Sequence, residues 1–509
     1  MTDASRSMTD NRPQPDPSNI LRQRATLQEY EFNSQAPVVG GLIARLRRAW
    51  NGVATKWQAR PVMEQQSAFN RALAERLGRP PGQAEVDDLF ARSDRTQTTL
   101  TRDAARLSMA TRRLSEDKIN RRPRIAWFSP LPPSRSGIAD YSAELLPHLA
   151  ELVDLTVFTP DPATITLPGL TVRPVSDFVV NHDEFDLPLY QMGNSDQHEW
   201  VYAMLLRYPG AVVLHDYFLH HFIRHRTVGR GEWTAYSREL TYAIGGDGRE
   251  LARAVRRGST VSPLFEEPLN QRLIDASLGL IVHSRYAAER ARHYRPDLPL
   301  AVVPALVEPR SSHSMRDRLE LPDHAILFGS FGQITTEKRI DVALRAFRDV
   351  LERYLDAHYL LVGDPRPDVD LDSLVVRLGV GHAVNRIGYV RNLDEFTDWI
   401  RTADVVVNLR QPTVGETSAV ALRAMAAARP LIVYDHGWYS EIPDAAAIKV
   451  PPDNDEALRQ AMEALATSPE RRLMMGQAGH DYVVEHCAPS SVAAAYAEFI
   501  RDVLGWPNG

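Results

Sequence analysis

Cysteine is nearly absent. Cys487 is the sole cysteine in 509 residues, which excludes an internal disulfide and a multi-cysteine zinc site and fits a reducing compartment. Long apolar runs are missing too, and none approaches the ~20 residues that a membrane-spanning helix needs. The opening stretch MTDASRSMTDNRPQPDPS lacks the apolar segment of a secretory signal, so a cytoplasmic location is expected. Neither sign of charge dominates. Lys and Arg total 59 against 65 Asp and Glu, a net charge of −6, which gives no global field for nucleic acid and makes any basic function local. The remaining composition, 44% hydrophobic and 24% charged, is that of a soluble globular chain. The length exceeds what one hydrophobic core usually holds, so two or three domains are expected.

Residues 1–37 are rich in Pro, Asn, Gln, Asp and Ser and read as a disordered tail. Residues 38–120 carry helical periodicity and no strand pattern, and form a helical N-terminal extension. From about Arg124 the pattern changes to short apolar runs separated by amphipathic stretches. IAWF (125–128), LTVF (155–158), PLYQM (188–192), AVVLH (211–215), GLIVHS (279–284) and AVVP (301–304) read as buried strands, with helices such as Tyr141–Glu151 and Glu199–Arg207 between them. After a polar, proline-bearing connection the alternation restarts with AILFGSF (325–331), HYLLVGD (358–364), VNRIGYV (384–390), ADVVVNL (403–409) and PLIVYD (430–435). Alternating strands and helices imply parallel sheets covered on both faces. The expected architecture is therefore α/β: two doubly wound, Rossmann-like domains facing across a cleft, 121–306 and 307–485, with a C-terminal helix in 486–509 packing back on the first. Ligands of such sheets sit near the carboxyl ends of the strands.

Three segments could carry chemistry. In the first, strand IAWF is followed by Ser136-Gly137 and then a helix. Gly137 permits close backbone approach, and the helix start offers free N–H groups to an anion, although an ordinary strand-to-helix turn has the same look. In the second, FGSFGQITTEKRID, Gly332 precedes Lys338 just before a helix. A cation at a helix start opposes the dipole, so beside a glycine loop Lys338 reads as a phosphate contact rather than a solvated lysine. In the third, strand ADVVVNL leads into PTVGETSAVALRAMAAARP. Thr417 and Ser418 can cap the helix that follows, and the next free amides can hold phosphate. Glu416 is placed either to accept hydrogen bonds from hydroxyls or to cap that helix.

Taken in order, SPLPPSRSGIADYSAELLPHL, VVLHD, IVHSRYAAERA, GSFGQITTEKRID and PTVGETSAVALRAMAAARPLIV resemble a family 4 retaining glycosyltransferase of the GT-B fold, in a subgroup with a G-E-T-S donor loop. The resemblance runs from about Arg121 to Leu504. It implies transfer of a sugar from a nucleotide-diphosphate sugar to a glycan or lipid-linked acceptor with retention, as a hexosyltransferase-type enzyme needing neither metal nor other cofactor. It implies that His215 and Glu416 orient sugar hydroxyls. It implies that the donor is held by Gly137, Gly332, Gln333, Lys338, the Thr417, Ser418, Ala419 and Val420 region, and Arg423. Three positions depart from the family. The first of its two donor-loop glutamates falls on Gly415, so Glu416 is displaced by one. Gln333 stands where the family has arginine, and Arg423 where it has a second glutamate that holds the ribose; Arg423 cannot accept hydroxyl protons, though it can bind phosphate. Loss of that acid leaves a second reading, a catalytically silent GT-B protein acting as a binding or scaffold partner. A sugar phosphorylase of related architecture would need free phosphate or pyridoxal phosphate, and no lysine signal marks one.

The histidines His220, His221 and His225 have one helix-face interval but no HExxH or cysteine partner, so they read as acceptor-side surface and not as a metal site. Val38 to Arg60 makes a basic amphipathic helix. Val39, Leu46, Trp50, Val53 and Trp57 share one stripe, and Arg45, Arg47, Arg48 and Lys56 the other face. It suits either an anionic membrane surface, making the protein peripheral there, or a docked helix or homodimer contact.

Overall fold

In the computed structural model the described residues are Gln66, 83–113, 121–134, 136–165, 167–322 and 324–506. The tail 1–37 and the amphipathic helix 38–60 lie outside them, as do Trp50 and Trp57. The chain divides into two compact units, Met1–Asp87 and Asp88–Gly509; the architecture below is that of the second.

The first lobe is built on seven parallel strands: β1 Arg124–Phe128, β2 Asp154–Thr159, β3 Thr171–Pro174, β4 Leu187–Met192, β5 Ala211–Leu214, β6 Gly279–Val282 and β7 Leu300–Val302. They are ordered β3-β2-β1-β4-β5-β6-β7. The second lobe has six, β8 Ile326–Phe331, β9 Ala357–Val362, β10 Val384–Ile387, β11 Val405–Val407, β12 Leu431–Tyr434 and β13 Ala447–Val450, ordered β10-β9-β8-β11-β12-β13. In both sheets the order reverses beside the first strand of the lobe, and that switch point opens a crevice at the strand carboxyl ends. The central strands are fully buried, as continuous apolar runs must be when helices cover both faces. The edge strands TVRP and AIKV, which carry polar residues, have no such run and were not legible in the sequence.

Two helices outside the sheets pack on the first lobe. The helix Gln83–Arg113 places Asp94 3.1 Å from Arg272 and Asp88 3.4 Å from Arg249, and packs Ala105 and Met109 against the sheet core. The C-terminal helix Pro489–Leu504 crosses from the second lobe and buries Val492, Tyr496, Phe499 and Ile500 in that same core. Its Tyr496 hydroxyl meets that of Tyr141 at 2.6 Å. No helix among the described residues is long and apolar enough to cross a membrane.

Candidate active site

A cavity of about 610 Å³ opens between the lobes at the strand carboxyl ends. Of the residues singled out in the sequence, Gly137 and His215 line it from the first lobe, and Gln333, Lys338, Glu416, Thr417, Ala419 and Arg423 from the second. Gly332, Ser418 and Val420 stand just behind this lining.

The second lobe concentrates positive charge. Lys338 closes the short turn Thr336–Lys338 that follows β8, and its Nζ donates to the Phe331 carbonyl at 2.6 Å. Burial, and then the nearby Arg410, push the lysine down to about 7. Gly332 suits this turn through its backbone, and a side chain there would displace the Lys338 ammonium. Its φ is +80°, and a Cβ would lie 2.7 Å from Lys338 Nζ. Ser418 caps the helix Ala419–Ala426 by accepting from Ala421 N–H, while its Oγ takes the Asn408 amide at 2.9 Å. The Ala419 and Val420 amides, at the positive end of that helix, remain for an anion. Gly137 has open space around its missing Cβ. Packing therefore does not demand glycine there.

Arg410, in the loop after β11, was missed in the sequence; it lies between the quoted stretches ADVVVNL and PTVGETSAVALRAMAAARP. Its Nε lies 2.8 Å from Glu416 Oε1. Burial would lower its guanidinium, but Glu416, followed by Tyr439, Asp216 and Glu337, outweighs burial and holds it above the usual value. Glu416 is tied on its other oxygen as well, accepting from Thr413 Oγ1 at 2.7 Å and Val414 N–H at 2.8 Å. It therefore does not cap the helix. It fixes the loop and aims Arg410 into the cleft.

Arg423 lines the cleft but is engaged by an acid of the first lobe. Its guanidinium lies 3.3 Å from Glu144 of the helix Gly137–Ala150, and Glu144 also meets Arg310 at 3.2 Å. This is a bridge across the lobes that no local pattern reveals.

His215 follows β5 and is half-buried in the cleft wall. Both its ring nitrogens meet protein groups: Nδ1 lies 3.1 Å from His283 Nε2, and Nε2 lies 2.8 Å from Gln191 Oε1. The Val303 carbonyl, 2.8 Å from His283 Nδ1, can only accept, so that nitrogen carries the proton and His283 Nε2 is bare. His215 must then donate from Nδ1. Burial, and then His283 and His198, hold His215 well below the usual histidine range, so it is neutral and its Nε2 is bare. Turning the Gln191 amide end for end presents its NH₂ to that nitrogen and also relieves an amide otherwise buried without a partner. His215 thus offers a cleft ligand its ring edge, not a free nitrogen.

The histidine cluster is not a surface feature. His220 is fully buried and bonded to Tyr236 Oη and the Glu267 carbonyl, each at 2.8 Å; His221 lines the cleft, and only His225 is exposed. The helix His220–Arg226 alternates between core and cleft, so the three rings share no face. Among the described residues no group of three or more His, Cys, Asp or Glu is arranged to hold a metal ion.

The fold is GT-B. Among solved structures, the Anabaena protein HepE in complex with UDP-glucose superposes with a TM-score of 0.54, at 14% identity, over 75% of this chain and 100% of that one. Sucrose-phosphate synthase from Thermosynechococcus elongatus gives 0.53 at 17% identity, over 75% and 100%. Residues 325–468 match the family described as Glycosyl transferases group 1. This stretch holds Gln333, Lys338, Arg410, Glu416 and Arg423. A curated relative, alpha-D-kanosaminyltransferase from Streptomyces kanamyceticus, is 27% identical over 165 residues, which is 32% of this chain and 42% of that protein. The chain thus matches less than half the length of that relative.

Proposed function

We propose that the protein transfers a sugar from a nucleotide-diphosphate sugar to a glycan or lipid-linked acceptor, with retention of anomeric configuration. One observation carries this. Lys338, Arg410 and the free amides of Ala419 and Val420 converge on one wall of a cleft large enough for such a donor. The family matched by the second lobe supports the same reading, as does the nucleotide sugar bound in HepE.

In this reading the diphosphate lies along Gln333, Lys338, Thr417 and the helix start at Ser418. The bond between the anomeric carbon and the phosphate oxygen breaks, and the negative charge that develops on the leaving diphosphate meets cations already in place. The acceptor hydroxyl attacks from the same face, and its proton passes to the departing phosphate oxygen. Lys338, Arg410 and the helix amides supply the positive charge, so no metal is needed. Gly137 closes over the phosphates, and the closed lobes exclude water, which would otherwise hydrolyse the donor.

The test is donor turnover by the purified protein across UDP-, GDP-, ADP- and dTDP-sugars, with and without EDTA. Release of nucleoside diphosphate from one donor, undiminished by EDTA, is the expected result. Binding without turnover of any donor would favour the silent scaffold instead.

A further inference from the structure

Asn194, Asp216 and His221 line one corner of the cleft. Asn194, just after β4, makes three bonds. Its backbone N–H donates to Asp216 Oδ2 at 2.8 Å. Its side-chain Oδ1 accepts from Phe222 N–H at 2.9 Å. Its Nδ2 lies 3.2 Å from His221 Nδ1. A backbone N–H can only donate, so the Phe222 bond fixes which end of the amide is oxygen. The other end is then NH₂, His221 Nδ1 must accept from it, and the neutral His221 ring carries its proton on Nε2. Burial lowers His221 below the usual histidine range, which keeps the ring neutral.

Asp216 and His221 both line the cavity. Among the described residues Asp216 Oδ1 takes no hydrogen bond, and neither does His221 Nε2. Gly193 lets this corner form, since a Cβ there would fall 2.3 Å from Ile138 Cδ1. One asparagine therefore holds a fixed acceptor, a carboxylate, and a fixed donor, an imidazole N–H, toward the same space. A sugar hydroxyl both donates and accepts, and neighbouring hydroxyls fit such a pair. A phosphate does not, because the carboxylate repels it. Asp216 is also within electrostatic reach of Glu416 and Arg410, at the edge of the phosphate wall, where a sugar attached to a diphosphate would emerge.

We propose that Asp216 and His221, set by Asn194, bind hydroxyls of the transferred sugar. This rests on the nucleotide-sugar reading above. His215, with both nitrogens engaged, is not the group that does so.

The experiment compares affinities for a nucleoside diphosphate and for its glucose conjugate, using whichever of the UDP, GDP, ADP and dTDP pairs the wild-type protein binds most tightly. Asp216→Asn retains a carbonyl oxygen for the Asn194 N–H, and His221→Phe retains the ring contact with Phe265, 5.1 Å away. Each variant should bind the bare diphosphate as the wild type does, within about twofold, and bind the sugar conjugate at least tenfold more weakly. In protein carrying ¹⁵N-histidine, His221 should appear as the Nε2–H tautomer and become a mixture in Asn194→Leu. Equal loss for both ligands, or loss for neither in variants that melt normally, would overturn the assignment. A loss confined to transfer, with donor affinity intact, would also overturn it and place the pair against the acceptor. A wild-type protein that binds no nucleoside diphosphate at all would sink the nucleotide-sugar reading, and this proposal with it.

Discussion

Lys338 shows how burial and charge set a residue's task. Half-buried in the cleft wall and near Arg410, it is pushed down to about 7, close to half-protonated at neutral pH. A bound diphosphate would restore its charge, raising the pKa in the complex. The sign follows: between the free value near 7 and the higher bound value, binding takes up a proton, so affinity falls as pH rises. Nucleoside diphosphate titrated calorimetrically from pH 7 to 9 should therefore lose affinity, approaching tenfold per unit. Lys338→Ala should bind roughly 1.5–3 kcal/mol more weakly, the worth of a hydrogen bond to a charged group, with a pH profile nearly flat. An unaltered profile in that variant would remove Lys338 from the phosphate site. Glu416 is tested differently. Its Oε2 accepts from Thr413 and Val414 while Oε1 forms an ion pair with Arg410, and Glu416→Gln removes the charge of that pair. With Arg410 no longer held by a carboxylate, transfer should fall by at least tenfold and affinity for the free diphosphate should fall with it. Full activity and unchanged diphosphate affinity in Glu416→Gln would show that Glu416 does not position Arg410.

At the scale of elements, the loop after β11 is held closely against the first lobe around Gly415. Gly415 has φ +72°, and a Cβ there would lie 2.7 Å from Tyr217 Cβ. The neighbouring Val414 carbonyl accepts from Phe218 N–H at 2.9 Å. Gly415→Ala combines backbone strain of ~1–3 kcal/mol with a clash across the lobes. It should lower the melting temperature and enlarge the radius of gyration in small-angle scattering, and an unchanged radius would show that this contact does not hold the lobes together. The same scale explains what the sequence made legible. Buried strands such as AVVL and GLIV announce themselves because both faces must be apolar, and Glu199–Arg207 follows from its amphipathic spacing. The glycine, lysine and G-E-T-S segments were visible as loops at strand ends. The Arg423–Glu144 bridge, the engagement of both His215 nitrogens and the splitting of the histidine cluster were not. Each depends on residues far apart in sequence, and one-dimensional spacing carries no trace of such partners.

For the whole molecule, closure rests on contacts from several places. Glu441 of the second lobe accepts from the Arg285 and Tyr286 amides at 2.9 and 2.8 Å, capping the helix Arg285–Tyr294 of the first. The Arg423–Glu144 bridge and the returning helix Pro489–Leu504 join the lobes elsewhere. The amphipathic stretch 38–60 adds a separate expectation from sequence. With two tryptophans on one face and four cations on the other, a membrane surface could satisfy both, each basic residue adding ~1 kcal/mol near an anionic bilayer. The protein should co-sediment with anionic liposomes, less so at high salt. Deleting residues 1–60, or combining Trp50→Glu with Trp57→Glu, should abolish this. A deletion that converts dimer to monomer in a protein that ignores liposomes would assign the stretch to self-association. The central claim, that the cleft is a nucleotide-sugar site, is tested most directly by thermal unfolding of the wild-type protein and Lys338→Ala against a panel of nucleoside diphosphates. At about 100 times its dissociation constant, one diphosphate should stabilise the wild type by ~2.7 kcal/mol, and at the same concentration stabilise the variant far less. Absence of stabilisation by every member of the panel, or equal stabilisation of the two proteins, would contradict it.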